Sequence, residues 1–210
     1  MNYRYTLIIL LLLISLIGCL RVSEGDPRAE APAGIAPEYD QFGLPVGMKH
    51  RFVNNEGQIL GNFELLLEPL DGIWCSGVPG RRERSVYLHT AALPYFRKMQ
   101  AAAAREGIEL LVCSGYRGYD HQRKVREKLP HKAAPPGYSE HHLGTAIDIH
   151  DVEWGDSSYA WLKKNAYRYG FILSYFRGHA VLGFPEEANH WRFIGEEPAA
   201  AYYRQFGDMY

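Results

Sequence analysis

The sequence predicts an α+β domain: a small, mainly antiparallel sheet with helices packed beside it and a metal site at one end of the sheet. Three observations carry this. Apolar runs of strand length recur at 108–113, 146–150, 171–175 and 191–194. Between them lie stretches whose apolar residues return at three- and four-residue steps, the helical period. Two separated segments, Ser139 to Asp148 and Glu187 to Trp191, supply histidines and carboxylates at metal-ligand spacing.

From the N-terminus, the first element is a targeting segment. Arg4 precedes a run from Leu7 to Ile17 that is apolar except for Ser15, and Gly18 and Cys19 follow. A bilayer span needs roughly 20 apolar residues, so the run reads as an export signal rather than a permanent helix. Residues 1–18 are therefore expected to be the signal, and the chain to work outside the cytoplasm, in the cell envelope. Leu16 to Cys19 resembles the bacterial lipobox, which implies cleavage before Cys19, lipidation of its thiol and membrane anchoring. A fully cleaved signal and a short uncleaved anchor are the plainer alternatives. Residues 19–47 are rich in Ala, Pro, Gly and acids without a helical or strand period, the composition of a flexible tether. The domain is expected to occupy 48–210.

Within it, Ile59 to Leu70 has short apolar runs broken by Asn62 and Pro69, suiting a strand or an irregular lobe. Val86 to Arg105 reads as one helix: Leu88, Ala92, Phe96, Met99 and Ala103 keep its period, and Gly107 supplies a stop. Pro94 either kinks it or marks its true start. Ile108 to Cys113 reads as a strand leading into a turn at 114–118, and Asp120 to Glu127 as a short helix. A loop at 130–137 reaches the first metal segment. Along the strand from Ala146 to His150, Ile147 and Ile149 face one way and Ala146, Asp148 and His150 the other. Ser157 to Tyr169 is a helix carrying Trp161, Leu162, Ala166 and Tyr169, with Gly170 at its end. Phe171 to Tyr175 and Trp191 to Ile194 are strands, and Pro198 to Phe206 closes the chain as a helix.

Composition narrows the function classes. With 210 residues, 47% hydrophobic and 22% charged, one globular domain accounts for the chain, and a monomer is expected. A formal net charge of −1 with scattered Lys and Arg excludes nucleic acid as an expected partner. Beyond Cys19, Cys75 and Cys113 either form a bridge, as an oxidising compartment permits, or are two buried reduced cysteines.

The chemistry resides in the two metal segments. His141, Asp148 and His190 give three zinc ligands and leave one coordination position open. A chain reversal at Gly144 would bring His141 and Asp148 to one ion, and His190 must come from a neighbouring strand. Glu187 lies three residues before His190, an odd spacing that would split the two across a regular strand, so Ala188 and Asn189 must turn or bulge. So placed, Glu187 is the candidate base that takes the proton of the attacking water and gives it to the leaving amine. Arg117, in the turn at 114–118, is the candidate electrophilic helper, with Ser114 and Gln122 holding it or the substrate. His150 is the substitute ligand and Glu186 the competing base; His142 is expected in solvent or behind the ligands, and Glu140 in water.

These residues together resemble the D-alanyl-D-alanine carboxypeptidase family of the VanY type. Its members are zinc peptidases of bacterial cell-wall peptides that share a metal-site fold with hedgehog signalling domains. The resemblance runs from about residue 85 to 195 and rests on Ser114 to Arg117 with Gln122, Pro136 to His141, the Ser-x-His-x-x-Gly-x-Ala-x-Asp pattern from Ser139 to Asp148, Tyr169 to Phe171, and Glu187-x-x-His190-Trp191-Arg192. It implies one zinc ion on His141, Asp148 and His190, Glu187 as base, Arg117 at the attacked carbonyl, and Ser139 supporting the substrate or His141. Where the family commonly has Pro-Trp, Ala188 and Asn189 stand here, removing an aromatic wall.

The expected activity is zinc-dependent hydrolysis of peptidoglycan stem peptides, releasing terminal D-alanine. L,D-carboxypeptidase, dipeptidase and L-Ala-D-Glu endopeptidase use the same machinery and stay open, because pocket contacts outside the motifs separate them. The rival from another class is a non-catalytic zinc module that binds the cell wall. A base beside the metal, which a structural site does not need, argues against it.

Overall fold

The computed structural model describes residues 37–46, 50–73, 83–176 and 185–210. Six strands, β1 (Leu67–Ile73), β2 (Glu83–His89), β3 (Val112–Ser114), β4 (Ala146–Ile149), β5 (Phe171–Leu173) and β6 (His190–Phe193), form one open sheet in the order β2-β1-β3-β4-β6-β5. Every pairing is antiparallel except β1 with β3, which meet in parallel at Gly72 and Val112. Four helices flank it among the described residues: α1 (Leu93–Arg105), α2 (Tyr119–Lys128), α3 (Ser157–Asn165) and α4 (Glu196–Phe206). The expected α+β class and mainly antiparallel sheet are therefore found. No helix of the described residues is long and apolar enough to cross a membrane.

One core binds these layers. Ile147, Ile149, Leu88, Val112, Trp191 and Phe193 fill it from the sheet. Phe96, Met99 and Ala103, at the steps read from the sequence, add the buried stripe of α1. Phe96 meets Phe171 of β5 edge to face, with ring centroids 5.9 Å apart. Trp161, Leu162 and Ala166 bury the next face; a short 3-10 stretch (Ala166–Tyr169) continues α3 before Gly170, at φ 77°, ends it.

Three expectations are corrected. The helix expected over 86–105 starts only at Leu93, with Pro94 in its first turn, so Pro94 marks the true start. Residues 86–89 belong to β2, where Val86 and Leu88 are buried and Tyr87 between them is exposed. The four-residue step from Leu88 to Ala92 to Phe96 imitated a helix across a strand-to-helix turn. The strand expected at 108–113 is shorter and shifted, Val112–Ser114. Residues 37–46, expected within the tether, pack on the domain instead: Leu44 is buried and Gln41 N donates to Ile194 O at 2.9 Å. Cys113 is disulfide-bonded; Cys19 and Cys75, the other two cysteines, lie outside the described residues, as do the export signal and the start near Met48.

The sheet register sets the site. Asp148 of β4 pairs with Ser114 of β3 on one side and with His190 of β6 on the other, so one rung crosses three strands. Ahead of β4, a 3-10 turn (Glu140–Leu143) ends at Gly144, whose φ of 66° is left-handed. A Cβ there would lie 2.6 Å from Leu67 Cδ2, so both conformation and space favour glycine.

Candidate metal centre and cleft

His141, Asp148 and His190 converge. One ligating atom from each lies within 4.8 Å of the others: His141 Nε2 is 3.2 Å and His190 Nδ1 3.0 Å from Asp148 Oδ1. Each imidazole is oriented from behind. His141 Nδ1 donates to Gly115 O at 2.7 Å, which directs the Nε2 lone pair at the cluster, and His190 Nε2 donates to Glu140 Oε2 at 3.0 Å, which turns Nδ1 the same way. His141 Nε2 is buried without a hydrogen-bond partner, the orphaned atom that a metal ion would satisfy. Two imidazoles and a carboxylate with a fourth side open form a donor set that fits zinc.

Charge is concentrated here. Burial lowers His141, Arg117 lowers it further, and it falls to about 4 despite Asp148. Burial also works against a charged His190, yet its bonds to Asp148 and Glu140 raise it to about 9. A proton on His190 therefore competes with a metal ion for the cluster. Burial alone would raise Asp148, but His141, His190 and Arg117 hold it well below the usual carboxylate range.

Glu187 precedes β6 in the turn its spacing required: Ala188 and Asn189 are turn residues and His190 N donates to Glu187 O at 3.4 Å. Its carboxyl is pushed up to about 7, first by burial and then by Asp148. Arg117 Nη1 stands 3.7 Å from Asp148 Oδ2, and its Nε is buried without a partner. Both Glu187 and Arg117 line a cleft of about 700 Å³ beside Asp148, with Lys132, Trp154 and His150 among its other walls.

Other expected residues fall differently. Gln122 is buried and donates to Ala134 O at 2.8 Å, bracing the loop before the metal segment rather than touching Arg117. Ser114 stands opposite Asp148, and Ser139 is buried just ahead of the 3-10 turn. His142 is buried behind the ligands, donating to Arg117 O at 2.6 Å and accepting from Gly137 N at 2.9 Å. His150 is paired with Asp151 at 3.1 Å and lies outside the cluster. Glu186 is exposed beside the cleft.

Glu140 corrects the sequence reading outright: instead of facing water it is fully buried, bonded to His190 and, through Oε1, to Arg192 Nη1 at 2.9 Å. Burial would raise it, but Arg192 and His190 bring it down to about 2. Its place inside the metal segment was the signal available. Tyr175 was also missed; its ring stacks on His190 with centroids 4.2 Å apart, and nothing in its local sequence announced that.

Comparison with known proteins agrees with this geometry. The family model described as "VanY: D-alanyl-D-alanine carboxypeptidase" matches residues 85–196. A D-alanyl-D-alanine carboxypeptidase of Enterococcus faecalis is 33% identical over 134 residues, 53% of this chain and 50% of that protein. A putative carboxypeptidase of Bacillus subtilis, YodJ, is 33% identical over 132 residues, 54% of this chain and 48% of that one. The chain thus spans about half the length of the curated relatives it matches. Among solved structures, a vancomycin-resistance D,D-pentapeptidase VanY in complex with Zn(II) superposes with a TM-score of 0.58 at 28% identity, over 73% of this chain and 92% of that one. The LdcB LD-carboxypeptidase superposes with a TM-score of 0.53 at 28% identity, over 68% and 72%.

Proposed function

The chain belongs to the VanY family of D-alanyl-D-alanine carboxypeptidases, and from that premise we propose that it is a zinc peptidase releasing terminal D-alanine from peptidoglycan stem peptides. The observation that carries the reading is the meeting of His141, Asp148 and His190 within 4.8 Å, with Asp148 on the wall of a cleft that Glu187 and Arg117 also line. The zinc-bound neighbour and VanYB solved with D-alanine-D-alanine support it.

In this reading one zinc ion on the three ligands supplies Lewis acidity for the attacked carbonyl and for water. Glu187 accepts a proton from water as its oxygen bonds to the carbonyl carbon. It then returns that proton to the nitrogen as the C–N bond breaks, so the amine leaves neutral. Arg117 offers its guanidinium to the oxygen on which negative charge develops. Ser114, Ser139 and Gln122 shape the backbone around these groups, and Lys132, the other Lys or Arg among the described residues lining the cleft, receives the terminal carboxylate.

A second reading, release of D-alanine from the tetrapeptide, is favoured by the LdcB likeness. Incubating the purified chain and zinc with synthetic pentapeptide and tetrapeptide, and resolving products by mass, separates them. Loss of D-alanine from the pentapeptide alone supports the first reading. Failure on both by a chain holding one equivalent of zinc favours the non-catalytic wall-binding module.

We further propose that residues 1–18 export the chain and that Cys19 carries a lipid holding it to the membrane on a tether ending before residue 37. We also propose a monomer, a reading supported by a site whose named residues all come from one chain. A Cys19→Ala chain that still partitions with membranes would reject the anchor.

A further inference from the structure

A buried arginine ties the metal cluster to a segment far from it in sequence. Arg192 of β6 donates through Nη1 to Glu140 Oε1 at 2.9 Å and to Pro45 O at 3.0 Å, and through Nη2 to Asp40 Oδ2 at 2.8 Å. Glu140 accepts from His190 Nε2 at 3.0 Å. The side chains of Asp40, Glu140 and Arg192 are wholly excluded from solvent. The order is carboxylate, guanidinium, carboxylate, imidazole, and the last presents Nδ1 to the cluster.

Asp40 is fixed at its far end. Its Oδ1 accepts from Phe42 N and Leu44 N, each at 2.9 Å, closing a tight loop. Phe42 packs its ring against Phe63 and His89, with centroids 5.3 Å from each. Residues 37–46 thus form a strap across β6, outside the stretch matched by the family model, 85–196.

Sharing the guanidinium has an electrostatic consequence. Two carboxylates around one cation leave a net negative charge in a dry interior, where it acts strongly on its neighbours. Without Asp40, the whole charge of Arg192 falls on Glu140, which becomes a poorer acceptor for His190. A carboxylate behind a ligating histidine fixes the ring and raises its basicity, so a poorer acceptor makes a poorer ligand.

We propose that Asp40 is a positioning residue of the metal centre: by sharing Arg192 with Glu140, it leaves Glu140 the charge to orient and polarise His190 as a ligand. This rests on the zinc reading above. It also gives the strap a function, since a chain begun at residue 48 would lack Asp40 and bind metal less tightly.

The test measures zinc affinity of the full chain in detergent by competition with a chromophoric chelator, together with the visible spectrum of the cobalt form. Asp40→Asn keeps the size and the oxygen that accepts from Phe42 and Leu44. It is expected to weaken zinc about tenfold, the lower end for outer partners of metal ligands, and to shift the cobalt bands. In a Glu140→Gln background the same substitution is expected to change affinity less than twofold, since the group it acts through is gone. Wild-type affinity in Asp40→Asn overturns the proposal, and so does an equal loss in both backgrounds, which marks a merely structural role. Should Asp40→Asn not fold, Arg192→Lys reads the same linkage: a cation that cannot fork to both carboxylates should weaken zinc comparably, and unchanged affinity overturns the proposal. Failure of the wild type to hold one equivalent of zinc defeats the zinc reading itself.

Discussion

Glu187→Gln isolates the proposed base from everything else at the site. The backbone of Glu187, not its side chain, makes the turn: its N donates to Tyr175 O at 2.9 Å and its O accepts from His190 N at 3.4 Å. Glutamine therefore keeps the turn and the three ligating atoms while removing the proton acceptor. General-base transfer contributes roughly 10² to 10⁴ in rate, or about 3 to 6 kcal/mol at about 1.4 kcal/mol per decade, and kcat should fall within that range. Zinc stoichiometry should be unchanged. The pH profile provides a second check. Burial pushes Glu187 up to about 7, and a bound dication pulls it down, so wild-type kcat/KM should rise with pH along an acid limb at or below 7. That limb should vanish from the residual rate of the variant. The assay is mass-resolved release of D-alanine from the pentapeptide, with bound metal counted in the same samples. A variant that keeps one equivalent of zinc and stays within tenfold of wild type refutes Glu187 as base, and loss of metal instead would make Glu187 part of the binding site.

Arg117→Ala should lower kcat by roughly 10² to 10³, as removal of an oxyanion donor does, and an unchanged kcat would reduce Arg117 to a partner of Asp148. Lys132→Ala should raise KM by roughly tenfold at constant kcat, because a carboxylate bound equally in ground and transition states affects KM alone. With a C-terminally amidated peptide, wild type and Lys132→Ala should then be equal; a persisting difference rejects Lys132 as the carboxylate partner. Arg192→Met should cost about 3 to 5 kcal/mol in urea unfolding at pH 7 in chelator, since it leaves two buried carboxylates without their cation. Glu140 is held at about 2, below its ordinary 4.5, so its contribution to wild-type stability is present above 4.5 and lost as pH falls towards 2. In Arg192→Met the two carboxyls shift upward and the folded state binds protons more tightly, so the gap should narrow as pH falls from 7 to 4; a constant gap refutes the triad's role.

What the sequence disclosed depended on whether a residue's partner was close along the chain. His141, Gly144 and Asp148 announce themselves because one turn joins them, and Glu187 with His190 because the turn through Ala188 and Asn189 is local. The strands and helices after residue 105 keep their own periods and were legible to within a few residues. Val86 to His89 was misread because Leu88, Ala92 and Phe96 fall at helical steps across a boundary, and only strand pairing, with Val86 opposite Leu70, distinguishes the two. Asp40 was invisible, since its meaning lies in Arg192, far along the chain. Glu140 was read as a surface acid because burial of a carboxylate depends on a partner that no local pattern names.

The same division bears on which bond is cut. The residues set by local motifs carry the proposed metal-assisted hydrolysis, whereas further walls of the cleft come from loops the motifs do not reach. The loop after α2 brings Lys132, and the loop after β4 brings Asp151, Glu153 and Trp154. Where the resembling family commonly carries Pro-Trp beside the base, Ala188 is small, yet an indole still lines the cleft as Trp154, held edge to face against Tyr159 with centroids 5.0 Å apart. A cation near the base and acids on another loop favour a peptide whose anionic terminus lies beside the scissile bond and whose cationic groups lie further off. That polarity fits the exopeptidase proposed above, acting at a free carboxyl end, because an internal bond would leave Lys132 without a charge to meet. Exchange of Lys132 for glutamate should therefore turn the chain against free stem peptides more than against amidated ones, and equal losses on both would remove the argument for terminal cleavage.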